Sequence, residues 1–290
     1  MENDSGERGQ LPADAHVGRV ALTVDDLDRV LPFYRDALGF AVERDGDVAR
    51  LSASDRPLLV LVEDRGAPER PRDAAGLFHV AIRVPSRAAL ADALARIRDA
   101  GASLTGASDH LVSEALYLRD PAGNGVEVYR DRPREDWPRA PDGSVEMDTL
   151  PLDLEGLAAD ATGAGELPAG TAVGHVHLEV ADLARAEGFY VEALGFDRQT
   201  RFGEQASFVG AGGYHHHVGL NTWNHRTSPA AGDARGLRWF EVVVPDAAAL
   251  DAVRKRLGDR GEGVTAADDG AVVVTDPDRI QVRLASASER

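Results

Sequence analysis

The sequence contains no cysteine among its 290 residues. That absence excludes disulfides, thiolate nucleophiles, cysteine-type zinc sites and iron–sulfur clusters, and leaves His, Asp and Glu as the side chains able to hold a metal. Lysine is nearly absent as well: Lys255 is the single one, and every other basic residue is Arg. No apolar run approaches the roughly 18–20 residues needed to cross a bilayer. The acidic start MENDSGERGQLPADA also lacks the basic-then-apolar order of a signal peptide, so no membrane partner and a cytoplasmic location are expected. Positive charge is scarce too. With 49 acidic against 32 basic side chains the net charge is −17, which repels phosphate backbones and makes nucleic acid an unexpected partner. Abundant Asp and Glu with so little Lys suits a halophilic cytoplasm, although GC-rich coding alone would explain the Arg bias.

Self-similarity is the strongest positive signal. Val17–Phe40 (VGRVALTVDDLDRVLPFYRDALGF) returns as Val173–Phe196 (VGHVHLEVADLARAEGFYVEALGF), with 14 of 24 positions identical and no gap. Each copy reads as an alternating strand, a polar turn at Asp26 or Asp182, an amphipathic helix with a Phe-Tyr pair, and a stop at Gly39 or Gly195. Weaker echoes begin at Phe78 and Trp239, each running strand, Pro turn, helix and Gly stop, then strands into the turns Asp120-Pro121 and Asp276-Pro277. The chain therefore divides into four modules near 16–65, 77–132, 173–224 and 236–285, each of one strand, one helix and about three strands. The expected fold class is α+β, with a first domain at 16–132, a linker at 133–170 carrying a short helix near 152–159, and a second domain at 171–286.

On these modules, on the strand His of His79-Val80-Ala81-Ile82-Arg83-Val84 and on the closing run Asp120-Pro121-Ala122-Gly123-Asn124-Gly125-Val126-Glu127, the chain resembles the vicinal oxygen chelate superfamily, which includes glyoxalases, bleomycin-resistance proteins and extradiol dioxygenases. The resemblance implies cup-shaped mixed sheets with helices outside, and metal ligands at one inward position of the first and one of the last strand of a module. Module one has Arg19 and aliphatic Leu59 to Val62 there; module four has Trp239 and Arg283. Modules two and three offer His79, Glu127 and His175, with the run His215-His216-His217 near the last position of module three. Two His and one carboxylate with open positions suit non-haem Fe(II), with Mn(II) as a substitute. That distribution points to one site shared by modules two and three; halves that pair internally would split the ligands between two incomplete sites. A lone strand His is more often a hydrogen-bonded structural residue than a ligand, whereas an inward Glu127 on an apolar strand calls for a cation.

The segment Ser108 to Glu127 further resembles the extradiol ring-cleaving dioxygenase signature: His110, five to seven residues, an apolar residue and Tyr117, an acidic-Pro turn, a Gly and the metal-binding Glu127, departing only at Ser108. By this resemblance His110 and Tyr117 are hydrogen-bond donors to substrate and His216 is the acid–base residue, with His215 or His217 taking that role if the strand is shifted by one. The implied reactants are a small aromatic vicinal diol of the catechol type and O₂, and a homo-oligomer is compatible with the sequence. Two alternatives stand beside it: a glyoxalase-like lyase or isomerase, whose pattern has four ligands including two Glu, and a metal-free protein that binds or sequesters a small molecule. Trp223, Trp239 and His225 are pocket walls or packing residues, with packing favoured for both tryptophans.

Overall fold

Each of the four repeats folds as the same unit, beginning in an alternating strand and turning into a helix capped by its own polar turn. The structure, a computed structural model, describes residues 10–267 and 270–289. Module one comprises β1 (His16–Val24), α1 (Leu27–Pro32), β2 (Ala41–Asp45), β3 (Val48–Ala53) and β4 (Arg56–Glu63). Module two comprises β5 (Gly76–Arg83), α2 (Arg87–Asp99), β6 (Gly106–Asp109), β7 (Ser113–Arg119) and β8 (Gly125–Asp131). The connecting segment adds β9 (Leu150–Pro151) and α3 (Leu154–Ala158). Module three is β10 (Ala172–Glu179), α4 (Leu183–Glu187), β11 (Asp197–Phe202), β12 (Ala206–Gly210) and β13 (Val218–Asn221). Module four is β14 (Gly236–Val244), α5 (Ala247–Asp259), β15 (Val264–Ala266), β16 (Val272–Thr275) and β17 (Gln281–Ser286).

All four module helices start in the same way: the side chain of Asp26, Ser86, Asp182 or Asp246 accepts a hydrogen bond from the backbone N–H three residues on. This satisfies one of the orphan donors of a helix start and explains why every first strand is followed by a small polar residue. Helices α1 and α4 continue into single π-turns over Phe33–Ala37 and Gly188–Ala193, and end at Gly39 and Gly195. Both glycines have positive φ, +86° and +93°, a conformation that costs a side-chain-bearing residue more.

The strands form two sheets, and each takes one module from each half of the sequence. One runs β11-β12-β13-β10-β5-β8-β7-β6-β9 and unites modules three and two; the other runs β15-β16-β17-β14-β1-β4-β3-β2 and unites modules four and one. The seams are antiparallel pairs, β5 with β10 and β1 with β14. The halves are also tied internally: Tyr34 in the turn after α1 donates its hydroxyl to Asp120 in the Asp-Pro turn of module two at 3.0 Å, and Tyr190 donates to Asp276 at 3.0 Å. One apolar core spans both sheets and the helices packed on them.

The connecting segment does more than link. Strand β9 pairs with β6, and Trp137 is buried against Val112, Val145 and Tyr214. Among the described residues no helix is long and apolar enough to cross a membrane.

Candidate metal centre and pocket

The β5–β10 seam has a local two-fold relation. His177 lies opposite His79, and His175 opposite Ala81. Glu127 stands beside Ala81 on β8. Because side chains alternate across a strand, this register turns His79, His175 and Glu127 to the same face. All three are buried, at 6%, 2% and 2% exposure. The His79 Nε2 atom lies 2.9 Å from Glu127 Oε2, His175 Nε2 lies 3.1 Å from the same oxygen, and the two Nε2 atoms are 3.3 Å apart.

These spacings fit one cation. Donors about 2.1 Å from a common ion at right angles to one another lie about 3.0 Å apart. The three atoms would thus all reach one ion, and all three residues line the cavity. Burial favours a neutral Glu127 carboxyl, but the adjoining His175 and His79 hold it well below the usual carboxylate range. Burial lowers His175 to about 4, so at neutral pH its ring carries a free lone pair suited to a metal.

A cavity of about 380 Å³ opens over this face. His216, His110 and Tyr117 all line it, so the six residues singled out by the sequence converge on one pocket. The His216 ring packs 4.1 Å from that of His175, centroid to centroid, and burial together with neighbouring histidines pushes it well below the usual His range. His215 instead turns away from the cavity toward Asp131, and His217 Nδ1 accepts the backbone N–H of Ala211. Of the three consecutive histidines, His216 is therefore the one that reaches the cavity. His110 Nδ1 donates to the Asp148 carbonyl at 2.7 Å, and its Nε2 lies 2.7 Å from the Tyr117 hydroxyl. In a neutral ring that leaves Nε2 only as an acceptor, so Tyr117 is the donor of the pair. Burial and the Glu127 charge push the Tyr117 hydroxyl well above its ordinary value, keeping its proton in place.

The remaining walls are aromatic. Phe78, Phe208 and Trp223 surround His177, with ring centroids at 5.2, 5.5 and 5.2 Å from it. Trp223 is 39% exposed and borders the cavity, which corrects its reading as a packing residue: it stands in the turn just after β13, beyond the paired residues of the sheet. Trp239 lies in the other sheet, beneath the Arg283 guanidinium at 4.6 Å.

His177 was missed by sequence reasoning, although the spacing His175-x-His177 on a strand places both on one face. It is 4% exposed, lies 5.0 Å from the His79 ring, and its Nε2 has no hydrogen-bond partner. Its place is explained by Gly219. The pairing of β10 with β13 sets His177 opposite Gly219, as the pairing of β5 with β8 sets Ala81 opposite Glu127. Gly219 is thus the two-fold counterpart of Glu127. A Cβ there would come within 2.8 Å of the His177 ring, so His177 fills the space a second carboxylate would need.

The corresponding place in the other sheet holds no such set. Arg19 matches His175 in the repeat, and its guanidinium forms a bidentate pair with the fully buried Glu241, with contacts of 2.6–3.1 Å. A fixed cation occupies the position where modules two and three present metal donors.

Paired strand–helix–three-strand modules closed into a curved sheet around an inward His-His-Glu face define a vicinal oxygen chelate fold. The chain belongs to the Glyoxalase/Bleomycin resistance protein/Dioxygenase superfamily, whose sequence profile matches residues 16–128 and 172–284. It is 44% identical over 258 residues to a catechol-2,3-dioxygenase of Bacillus subtilis (strain 168), covering 87% of this chain and 90% of that protein. It is 32% identical over 114 residues to biphenyl-2,3-diol 1,2-dioxygenase 3 of Rhodococcus globerulus, covering 38% of this chain and 60% of the relative. Among solved structures, glyoxalase I from Zea mays shares the fold with a TM-score of 0.58 at 15% identity, over 95% of this chain and 94% of that one.

Proposed function

We propose that the protein is an extradiol dioxygenase that opens the ring of a catechol-type diol next to one hydroxyl, with Fe(II), or Mn(II) in its place, held by His79, His175 and Glu127. The observation that carries this reading is the three-donor face with His216 packed on His175 and with Tyr117, paired to His110, packed on His79, all lining one cavity. The 44% identity to a catechol-2,3-dioxygenase over most of both chains supports it. The metal would supply a common template for the two diol oxygens and O₂ and draw electron density from ring to oxygen.

The chain's own residues do the rest. His216, buried and neutral, accepts the proton of one diol hydroxyl at its open ring nitrogen and returns it when the ring-opened product forms. Tyr117, kept protonated and lining the cavity beside His110, donates to the oxygen on which charge builds. Phe78, Phe208 and Trp223 clasp the aromatic ring and exclude water from the anionic product. Both atoms of O₂ end in a hydroxy-semialdehyde, which is yellow when the substrate is catechol itself.

Gly219 favours this reading over a glyoxalase-like one. A four-ligand site with two Glu needs a carboxylate at that position, and His177 occupies its space. The two are separated by assaying the Fe(II)-loaded protein with catechols in air and with a hemithioacetal without O₂. Turnover of the diols alone is expected; turnover of the hemithioacetal alone would transfer the protein to the lyase class.

A further inference from the structure

Behind His216, away from the cavity, a line of hydrogen bonds runs toward the surface. His216 Nδ1 lies 2.8 Å from His215 Nδ1, and His215 Nε2 lies 2.9 Å from Asp131 Oδ1. The Asp131 carboxylate also accepts the Tyr214 hydroxyl at 3.0 Å and lies 3.4 Å from the Arg83 guanidinium. The His215 ring is held between the Tyr214 ring at 4.2 Å and the Trp137 ring at 5.2 Å, so it has little freedom to turn.

Counting protons along this line decides each tautomer. A carboxylate only accepts, so His215 must present Nε2–H to Asp131. A neutral His215 then has a bare Nδ1, which can only accept, and His216 must therefore carry its proton on Nδ1. That leaves His216 Nε2 bare. Among the described residues none hydrogen-bonds to it, and the residue lines the cavity beside the His175 ring. The logic is that of a carboxylate orienting a catalytic imidazole through its far nitrogen, extended by one further ring.

We propose that Asp131 and His215 are positioning residues that fix His216 in the Nδ1–H tautomer with Nε2 turned to the pocket as the proton acceptor. Neither touches the cavity, and they act only through His216. The inference rests on the role given to His216 above. Asp131→Asn should invert the line: the amide N–H faces His215 Nε2, His215 then holds its proton on Nδ1, and His216 is driven to the Nε2–H form with no base in the pocket. His215→Gln, whose amide can donate to Asp131 and accept from His216, should preserve the tautomer.

The test combines long-range ¹H–¹⁵N correlation of histidine-labelled full-length protein loaded with diamagnetic Zn(II), and turnover of the Fe(II)-loaded protein. The His216 signals are assigned by their loss in His216→Gln. The expected result is a bare Nε2 in the wild type, an Nε2–H ring in Asp131→Asn, and retention of the wild-type pattern in His215→Gln. In parallel, kcat for catechol should fall about 10²-fold or more in Asp131→Asn, with KM and iron content nearly unchanged, and recover most of its value in His215→Gln. A wild-type His216 protonated on Nε2, or an Asp131→Asn protein with the wild-type tautomer, overturns the inference whatever the activity. If the tautomers behave as expected and no catechol is turned over by the wild type, the inference stands and the reading of the reaction falls.

Discussion

Replacing Glu127 by Gln removes the negative member of the three-donor face while keeping the side chain's size, so no cavity term confuses the result. The carboxylate oxygen sits 2.9 Å and 3.1 Å from the two imidazole nitrogens, so its charge is the main attraction the chain offers a cation. Metal at about 100 times its Kd stabilises the folded wild type by about 2.7 kcal/mol. Unfolding 290 residues at about 2.1 cal/mol/K each gives an entropy near 0.6 kcal/mol/K, so the gain corresponds to a rise in Tm of about 4 °C. Losing an outer-shell partner alone weakens such sites about 10–100-fold, and a ligand's charge should matter no less. At a hundredfold weaker affinity and the same metal concentration only about 0.4 kcal/mol survives, a rise below about 1 °C. Thermal melts of both proteins under an Mn(II) titration read this directly. Equal shifts in wild type and Glu127→Gln, or no shift in the wild type, would refute the assignment of this face as the metal site.

Acid should destabilise the metal-free protein. Burial depresses His175 to about 4 and His217 to about 3, against about 6.5 in an unfolded chain. Their contribution is therefore complete above pH 6.5 and is lost as pH falls toward 4 and then 3, at up to about 1.4 kcal/mol per pH unit for each ring. Urea midpoints at pH 7, 6 and 5 should drop in that order, and a flat series would contradict the burial of neutral rings. Tyr34→Phe deprives Asp120 of one buried partner and should cost about 1–3 kcal/mol in chemical denaturation, and Tyr190→Phe, in the equivalent place beside Asp276, should cost a similar amount; near-zero values in both would show that these ties do not hold the two modules of each half to one another. Tyr117→Phe should lower kcat about 10²-fold while the bound iron, measured by metal analysis, stays at the wild-type level. Parallel loss of iron and activity would instead make Tyr117 a support for the ligands.

The sequence made the modules legible because a duplication repeats its caps and stops along with its core: Asp26 and Asp182 cap matching helices, and Gly39 and Gly195 end them. The candidate ligands His79, His175 and Glu127 could be named before any pairing was known because the family resemblance attaches ligands to module positions, and those positions can be read locally. What escaped it depends on contacts between distant segments. Asp131 meets His215 across 84 residues, and only the β5–β10 seam brings modules two and three close enough for that pair. The cavity wall draws Met147 and Thr149 from a segment that reads as a linker. The loss of ligands at Arg19 was visible, but its replacement by an ion pair with Glu241 rests on β1 pairing with β14, which no local pattern announces. His177 differs from these. Its signal was present in the spacing from His175, and its meaning depended on Gly219 leaving room for it.

The most direct test of the central claim is simultaneous recording of O₂ consumption and visible absorbance when anaerobically prepared, Fe(II)-loaded protein is mixed with catechol and air. The account predicts one O₂ consumed for each yellow ring-opened product formed, with both signals abolished in Glu127→Gln. Full iron occupancy with neither signal from any of several ring-substituted catechols would contradict it.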